Sequence, residues 1–309
     1  MKVAYLFPGQ GSQYPGMLHG LASHPSIEQS LKEAGEVVKD DILLWDTEKS
    51  LHSTVATQIL LLVAGVAAAR TLQEEGAQPD MVAGHSVGAF GAAVTAGILD
   101  FKETVSLVKL RGELMEEAFP SKYGMGVVTG IRETDLRSLL KESVSEGQVY
   151  MANLNSPSQI TITGTVQGIK KVLSVAQKEG ARTAELLPVR VPSHCTLMEP
   201  VSTKLLKALN KMIVNKPRIP FASNRTARVL RDAQSIREEL AFSITQPVRW
   251  HDATSVFFEK GVRLFVEMPP GCVLTGLAGQ AFPDARAVSV DNAGIQSTRI
   301  LVNRMKDEI

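Results

Sequence analysis

Along the chain, short apolar runs alternate with longer segments whose apolar positions recur every three to four residues. KVAYLF (2–7) is a mostly apolar run stopped by PGQG, the pattern of a buried strand entering a loop. Helical spacing follows over 57–75 and ends at Gly76. DMVAG (80–84) predicts the next strand, VGAFGAAVTAG (87–97) the next helix, and FKETVSLVKLRGELMEEAF (101–119) another helix. Strand, turn and helix in this alternation predict an α/β fold with a mostly parallel sheet.

Near Gly124 the rhythm changes. GMGVVTGI (124–131), ETDLRSLLKESV (133–144), QVYMANLN (148–155), QITITGT (159–165), VQGIKKVLSVAQKEG (166–180) and ARTAELLPV (181–189) follow one another. They read as strand, helix, strand, strand, helix and strand, a split-βαβ or ferredoxin-like unit. The expectation is an inserted ferredoxin-like subdomain at 125–192, with 1–124 and 193–309 forming the parent α/β core. After VPSHC the chain is expected to become helical again and then to give RIPFASN, DAQSIREELAFSI, WHDATSVFFEKG, RLFVEMPP, VLTGLAGQAF, ARAVSVD and a closing amphipathic helix, the rest of the parent α/β domain.

The 309 residues are enough to bury a sizeable core. With 33 Lys plus Arg against 32 Asp plus Glu, the balance offers no broad basic footprint for nucleic acid or an anionic membrane. Two cysteines, Cys195 and Cys272, make neither a disulfide framework nor a zinc cluster, so no metal is expected and a reducing cytoplasm is. MKVAYLFPGQ meets proline and glycine too early for a signal peptide, and ILLLVAGVAAA from Ile59 reads as a buried core helix, not a membrane span.

Gly84, Ser86 and Gly88 in GHSVG match G-x-S-x-G between a predicted strand and a predicted helix, the context of a nucleophile elbow in an α/β-hydrolase-like core. The flanking glycines admit a turn too sharp for side chains, and Ser86 would stand at the start of a helix. A serine hydroxyl needs a base within hydrogen-bond reach. His85 adjoins Ser86 and suits pocket lining. His194 in VPSHC and His251 in RWHDATS remain, and His194 is preferred because His251 and Asp252 fit a helix start better. FPGQGSQ has Tyr14 where G-x-G-x-x-G needs its last glycine, so it is no nucleotide loop; its Gln10 amide is a candidate oxyanion donor beside that of Val87. Arg111 alone reads as a solvated helix charge, with Glu113 or Glu117 as partner. Residues 216–231 concentrate basic side chains and are a candidate face for an acidic partner or for phosphate groups.

FPGQGSQ, GHSVG, LRGELM, NLNSP and VPSH, in this order around the insertion, resemble the malonyl-CoA:acyl-carrier-protein transacylase family over nearly the whole chain. The resemblance implies Ser86 as the acylated nucleophile, His194 as its base, the Gln10 and Val87 amides as oxyanion hole, and Arg111 as the clamp on the malonyl carboxylate. It also implies His85 and Met115 as acyl-pocket lining and the Gln246 carbonyl as the group orienting the histidine. Ala89, Phe90 and Cys195 depart from the pattern of fatty-acid-synthesis members. GHSVGAF, FPSKYGM, VPSHC, PVRWHDATS and LFVEMPPG together are similar to the malonyl transferase (epsilon) subunit of bacterial malonate decarboxylase.

The activity so implied moves malonyl from malonyl-CoA, through a serine ester, to the phosphopantetheine-type arm of an acyl carrier protein or of the decarboxylase carrier subunit. No permanently bound cofactor is expected. The rival readings are the same transfer in fatty acid or polyketide synthesis, a serine thioesterase or hydrolase that releases the acyl group to water, and a catalytically silent assembly subunit.

Overall fold

The computed structural model describes residues 1–118, 122–142 and 148–307. The expected helix ends at Phe119 and at Ser143–Val144, and the FPS of FPSKYGM, lie outside the described residues. In chain order the strands are β1 (Lys2–Phe7), β2 (Met81–Gly84), β3 (Tyr123–Thr129), β4 (Val149–Ser156) and β5 (Gln159–Thr165). They continue with β6 (Thr183–Leu187), β7 (Phe221–Ala222), β8 (Val229–Leu230), β9 (Val262–Glu267) and β10 (Arg286–Ser289).

The larger sheet has the order β10-β9-β1-β2-β7-β8, parallel throughout except where β8 pairs with β7. β1 lies inside it with Val3 to Leu6 fully buried, as its unbroken apolar run requires. Because these strands are parallel, the loops that follow β1, β2, β7 and β9 gather at one edge, where open α/β sheets bind ligands. Within RIPFASN only Phe221–Ala222 form β7, and Pro220 just before it brings no N–H to a ladder.

The helix Thr54–Glu74 is buried around most of its circumference and packs under this sheet. It starts earlier than its apolar pattern because Ser53 caps it, its hydroxyl accepting the Ala56 N–H. Its 21 residues are long and apolar enough to cross a membrane, yet 89% of the apolar window is buried inside the fold. The loop after β1 is tied down by Asp46, whose carboxylate accepts the N–H groups of Gly16, Met17, Leu18 and His19.

The smaller sheet is antiparallel, in the order β4-β5-β3-β6. Helices Glu133–Glu142 and Val166–Lys178 belong to the same unit, which has its own apolar core around Val128, Leu136, Ile160, Ile162 and Ile169. β4 also reaches the larger unit: the Leu154 N–H donates to the Val248 carbonyl and the Val248 N–H to that of Ala152, each at 2.8 Å.

β1, β2 and the helix Gly88–Thr95 approach so closely that two glycines are obligatory. A Cβ on Gly84 would lie 2.0 Å from the Gly88 carbonyl carbon, and one on Gly88 would lie 2.2 Å from the Phe7 oxygen. These obstacles are backbone and cannot rotate away. Gly88→Ala should therefore cost on the order of 3 kcal/mol in urea unfolding. Exposed Gly279→Ala, which meets nothing within 4 Å, should be neutral or gain about 0.5–1 kcal/mol.

Candidate active site

β2 ends at Gly84 and the next helix begins at Gly88, leaving three residues to reverse the chain. Ser86 takes the strain, with φ at 55°, in the left-handed region that a serine rarely occupies. The turn is held on both sides: the His85 N–H donates to the Phe7 carbonyl at 2.9 Å, and the Ser86 N–H donates to Asn224 Oδ1 at 3.0 Å.

His194 arrives from 108 residues downstream, and its Nε2 lies 2.8 Å from Ser86 Oγ. Its own backbone is left-handed, φ 66°, and its N–H donates to the Ile244 carbonyl at 2.7 Å. Nδ1 lies 2.8 Å from the Ser243 carbonyl. A carbonyl only accepts, so Nδ1 carries the hydrogen and the Nε2 lone pair faces the serine hydroxyl. The nearest orienting carbonyl is therefore that of Ser243, whereas the sequence pointed to Gln246, whose backbone makes a lesser contribution. The reason is the short 3-10 turn Ser243–Thr245, which aims the Ser243 carbonyl at the ring four residues before the PVRW segment.

The His194 ring is pushed down to about 3, by burial first, with the Arg111 and His85 charges acting the same way and the carbonyl bonds opposing them. An unfolded histidine takes its proton near 6.5. Between these values the unfolded chain binds more protons, so the fold loses stability as the pH falls from about 6.5 towards 3.

Arg111 is no solvated helix charge. It is 2% exposed; one guanidinium nitrogen donates to Gln58 Oε1 at 2.6 Å and the other approaches Ser86 Oγ at 3.4 Å. Burial lowers it to about 10, and no carboxylate pairs with it among the described residues. Gln58 also donates to Gln10 Oε1 at 3.1 Å and to Met115 Sδ at 3.3 Å, which links the loop after β1 to the arginine. The backbone N–H groups of Gln10 and Val87 have no acceptor among the described residues. His85 turns away from the hydroxyl: its Nε2 lies 3.0 Å from Asn155 Oδ1 on β4, and its ring stands 5.4 Å from that of Trp250.

A strained serine, a neutral imidazole on its hydroxyl and free amides nearby are the groups that acyl transfer by way of a serine ester calls for. Residues 4–306 match the acyl transferase domain family. The chain belongs to that family. It is an acyltransferase, and its relatives match nearly end to end. The malonyl CoA-acyl carrier protein transacylase of Escherichia coli K12 is 38% identical over 283 residues, 89% of this chain and 91% of that protein. The solved malonyl CoA-acyl carrier protein transacylase of Coxiella burnetii superposes with a TM-score of 0.94 at 32% identity, covering 98% of each chain. A malonyl-transacylase solved in complex with a type II PKS acyl-carrier protein superposes at a TM-score of 0.93 with 36% identity, over 97% of this chain and 99% of that one.

The acyltransferase places the remaining candidates elsewhere. His251 begins the helix Trp250–Glu259 and stacks on Phe282, while Asp252 pairs with Arg249. Cys195 is buried, its thiol donates to the Pro192 carbonyl, and burial raises it to about 11, which leaves no thiolate for attack. The basic run 216–231 divides: Arg218 packs against Gly97, whereas Arg225 lines a cavity of about 550 Å³ with His194, Gln246, Tyr150 and Leu154. Sequence reasoning missed Gln58, Asn155, Asn224 and the Ser243 carbonyl. Only Gln58 left a trace, as a lone amide in an apolar helical run.

The geometry makes one direct spectroscopic prediction. Nitrogen-15 NMR of the histidine rings should show His194 as the neutral Nδ1–H tautomer throughout pH 5–8 (about the range where exposed histidines titrate). A titration of this ring near 6.5 would contradict the burial and contacts described.

Proposed function

We propose that the enzyme is a malonyl-CoA:acyl-carrier-protein malonyltransferase working through an ester on Ser86. Ser86 Oγ attacks the malonyl thioester carbon while His194 Nε2 takes its proton, and the oxyanion faces the amides of Gln10 and Val87. The coenzyme thiol leaves with the proton returned by His194. A carrier thiol then attacks the serine ester by the same steps in reverse, giving ping-pong kinetics. His85 and Met115 line the acyl pocket, and the Ser243 carbonyl, with Gln246 behind it, orients the base.

The observation that carries malonyl selectivity is the buried Arg111 guanidinium, 3.4 Å from Ser86 Oγ and without a carboxylate partner. A buried cation calls for an anion, and a free malonyl carboxylate provides one in bidentate geometry. Once paired, Arg111 depresses the histidine less, while burial, the larger cause, remains. The names of the Escherichia coli and Coxiella burnetii relatives support the same donor and acceptor.

Two acceptors fit the transfer. The polyketide complex supports an acyl carrier protein, of fatty acid or polyketide synthesis. The combination of Ala89, Phe90 and the PVRWHDATS and LFVEMPPG segments favours the carrier subunit of malonate decarboxylase, whose arm derives from dephospho-coenzyme A. We place the reaction in the cytoplasm. We read residues 125–192 as a ferredoxin-like insertion in an α/β-hydrolase-like core formed by 1–124 and 193–309, an arrangement in which the chain re-enters the core beside His194.

Intact-mass spectrometry after addition of malonyl-CoA should show one malonyl group on Ser86 that persists in water and discharges to a carrier thiol. Rapid hydrolysis instead identifies a thioesterase, and no adduct at all refutes the assignment. Comparing the two carrier types as acceptors decides between the pathways. Replacing Arg111 by alanine should shift the malonyl-to-acetyl preference in kcat/KM by about ten- to a hundredfold, as expected for a charged hydrogen-bonded pair of about 1.5–3 kcal/mol. An unchanged ratio removes Arg111 from the pocket.

A further inference from the structure

Behind the Ser86 turn lies a connected set of buried polar groups that the transfer itself never touches. Asn224, in the loop after β7 and 4% exposed, accepts the Ser86 N–H on Oδ1 at 3.0 Å. Its backbone is fixed from both ends: its N–H donates to Glu239 Oε1 at 2.6 Å, and its carbonyl accepts the Arg249 N–H at 2.8 Å. Glu239, on the helix Ala233–Phe242, is 1% exposed. Its second oxygen accepts the Ser223 hydroxyl at 2.5 Å and lies 3.4 Å from Arg225 Nε. Ser223 Oγ in turn accepts the Thr226 N–H at 3.0 Å.

A buried carboxylate is costly, and an apolar side chain would fill this helix position at lower cost if packing were all that was asked of it. What the carboxylate does here is lock the loop that holds Asn224, and Asn224 meets Ser86, whose backbone is held left-handed at the elbow. Without that acceptor the Ser86 N–H is unsatisfied and the turn has less reason to stay left-handed. A relaxed φ would carry Oγ away from His194 Nε2.

We propose that Asn224 and Glu239 are positioning residues: Glu239 anchors Asn224, and the Asn224 amide oxygen holds the Ser86 peptide in the left-handed conformation that presents its hydroxyl to His194. The inference rests on the reading of Ser86 as the acylated hydroxyl. Its consequence is a defect in turnover without a defect in substrate binding, since neither residue meets the acyl pocket or Arg111.

The test compares Asn224→Ala, Glu239→Ala and Glu239→Gln with the parent enzyme, by steady-state malonyl transfer and by amide hydrogen exchange of the peptide spanning Gly84–Gly88. Asn224→Ala keeps the bond from the residue 224 N–H to Glu239, so it removes the brace without stranding the buried carboxylate, and it remains informative if Glu239→Ala does not fold. The expected result is a kcat lower by about ten- to a hundredfold, with KM unchanged within about twofold, and faster exchange at Ser86. Glu239→Gln should recover most of the rate, because its amide oxygen still accepts the Asn224 N–H. Parent-like kcat or unchanged elbow exchange in Asn224→Ala overturns the proposal, as does equal loss in Glu239→Gln and Glu239→Ala. Exchange needs no acyl donor, so it judges the brace separately from the transfer: a parent enzyme that forms no malonyl ester refutes the functional reading alone.

Discussion

The architecture of the site depends on one backbone conformation, the left-handed turn at Ser86 between β2 and the following helix. The turn is affordable only because its surroundings over-determine it. β1 closes against Gly88 with no room for a methyl group, the Phe7 carbonyl takes the His85 N–H, and Asn224 takes the next one. These partners come from the end of β1 and from the loop after β7, so the strain at one residue is shared between two places on the C-terminal edge of the sheet. The same edge collects the loops that hold the free amides of Gln10 and Val87.

Around this turn the electrostatics are poised and unbalanced. Arg111 and His194 lie on either side of the Ser86 hydroxyl, both buried, and no carboxylate balances the arginine among the described residues. Burial and the neighbouring cation hold the imidazole neutral, and the Ser243 carbonyl fixes which nitrogen bears its hydrogen. In the proposed transfer the missing negative charge arrives with the substrate. Substrate selection and base strength are then coupled through Arg111.

The smaller antiparallel unit is more than a lid over this chemistry. β4 is hydrogen-bonded to Val248 and places Asn155 on His85, while the chain leaving β6 delivers His194. The cavity beside His194 is lined from both units, with Tyr150 and Leu154 from one and Arg225 and Gln246 from the other. In the proposed transfer this arrangement suits a long, flexible thioester arm that enters from the surface and reaches the half-buried Ser86 hydroxyl.

Much of this was legible in the linear chain, because local physics writes local patterns. Apolar runs and helical spacing marked the strands and helices, and the glycines about Ser86 marked the elbow, since Gly84 is excluded from a side chain by Gly88 four residues on, although Gly88 itself is closed off by Phe7 from a distant strand. The partners of the site were not legible in the same way. Gln58 as the bridge to Arg111, Ser243 as the acceptor for His194, and Glu239 as the anchor for Asn224 are choices among many chemically equal residues. Sequence patterns constrain what a residue meets within a few positions of itself. A buried donor takes whichever acceptor the packed chain brings within about 3 Å, and only the tertiary structure decides which one that is.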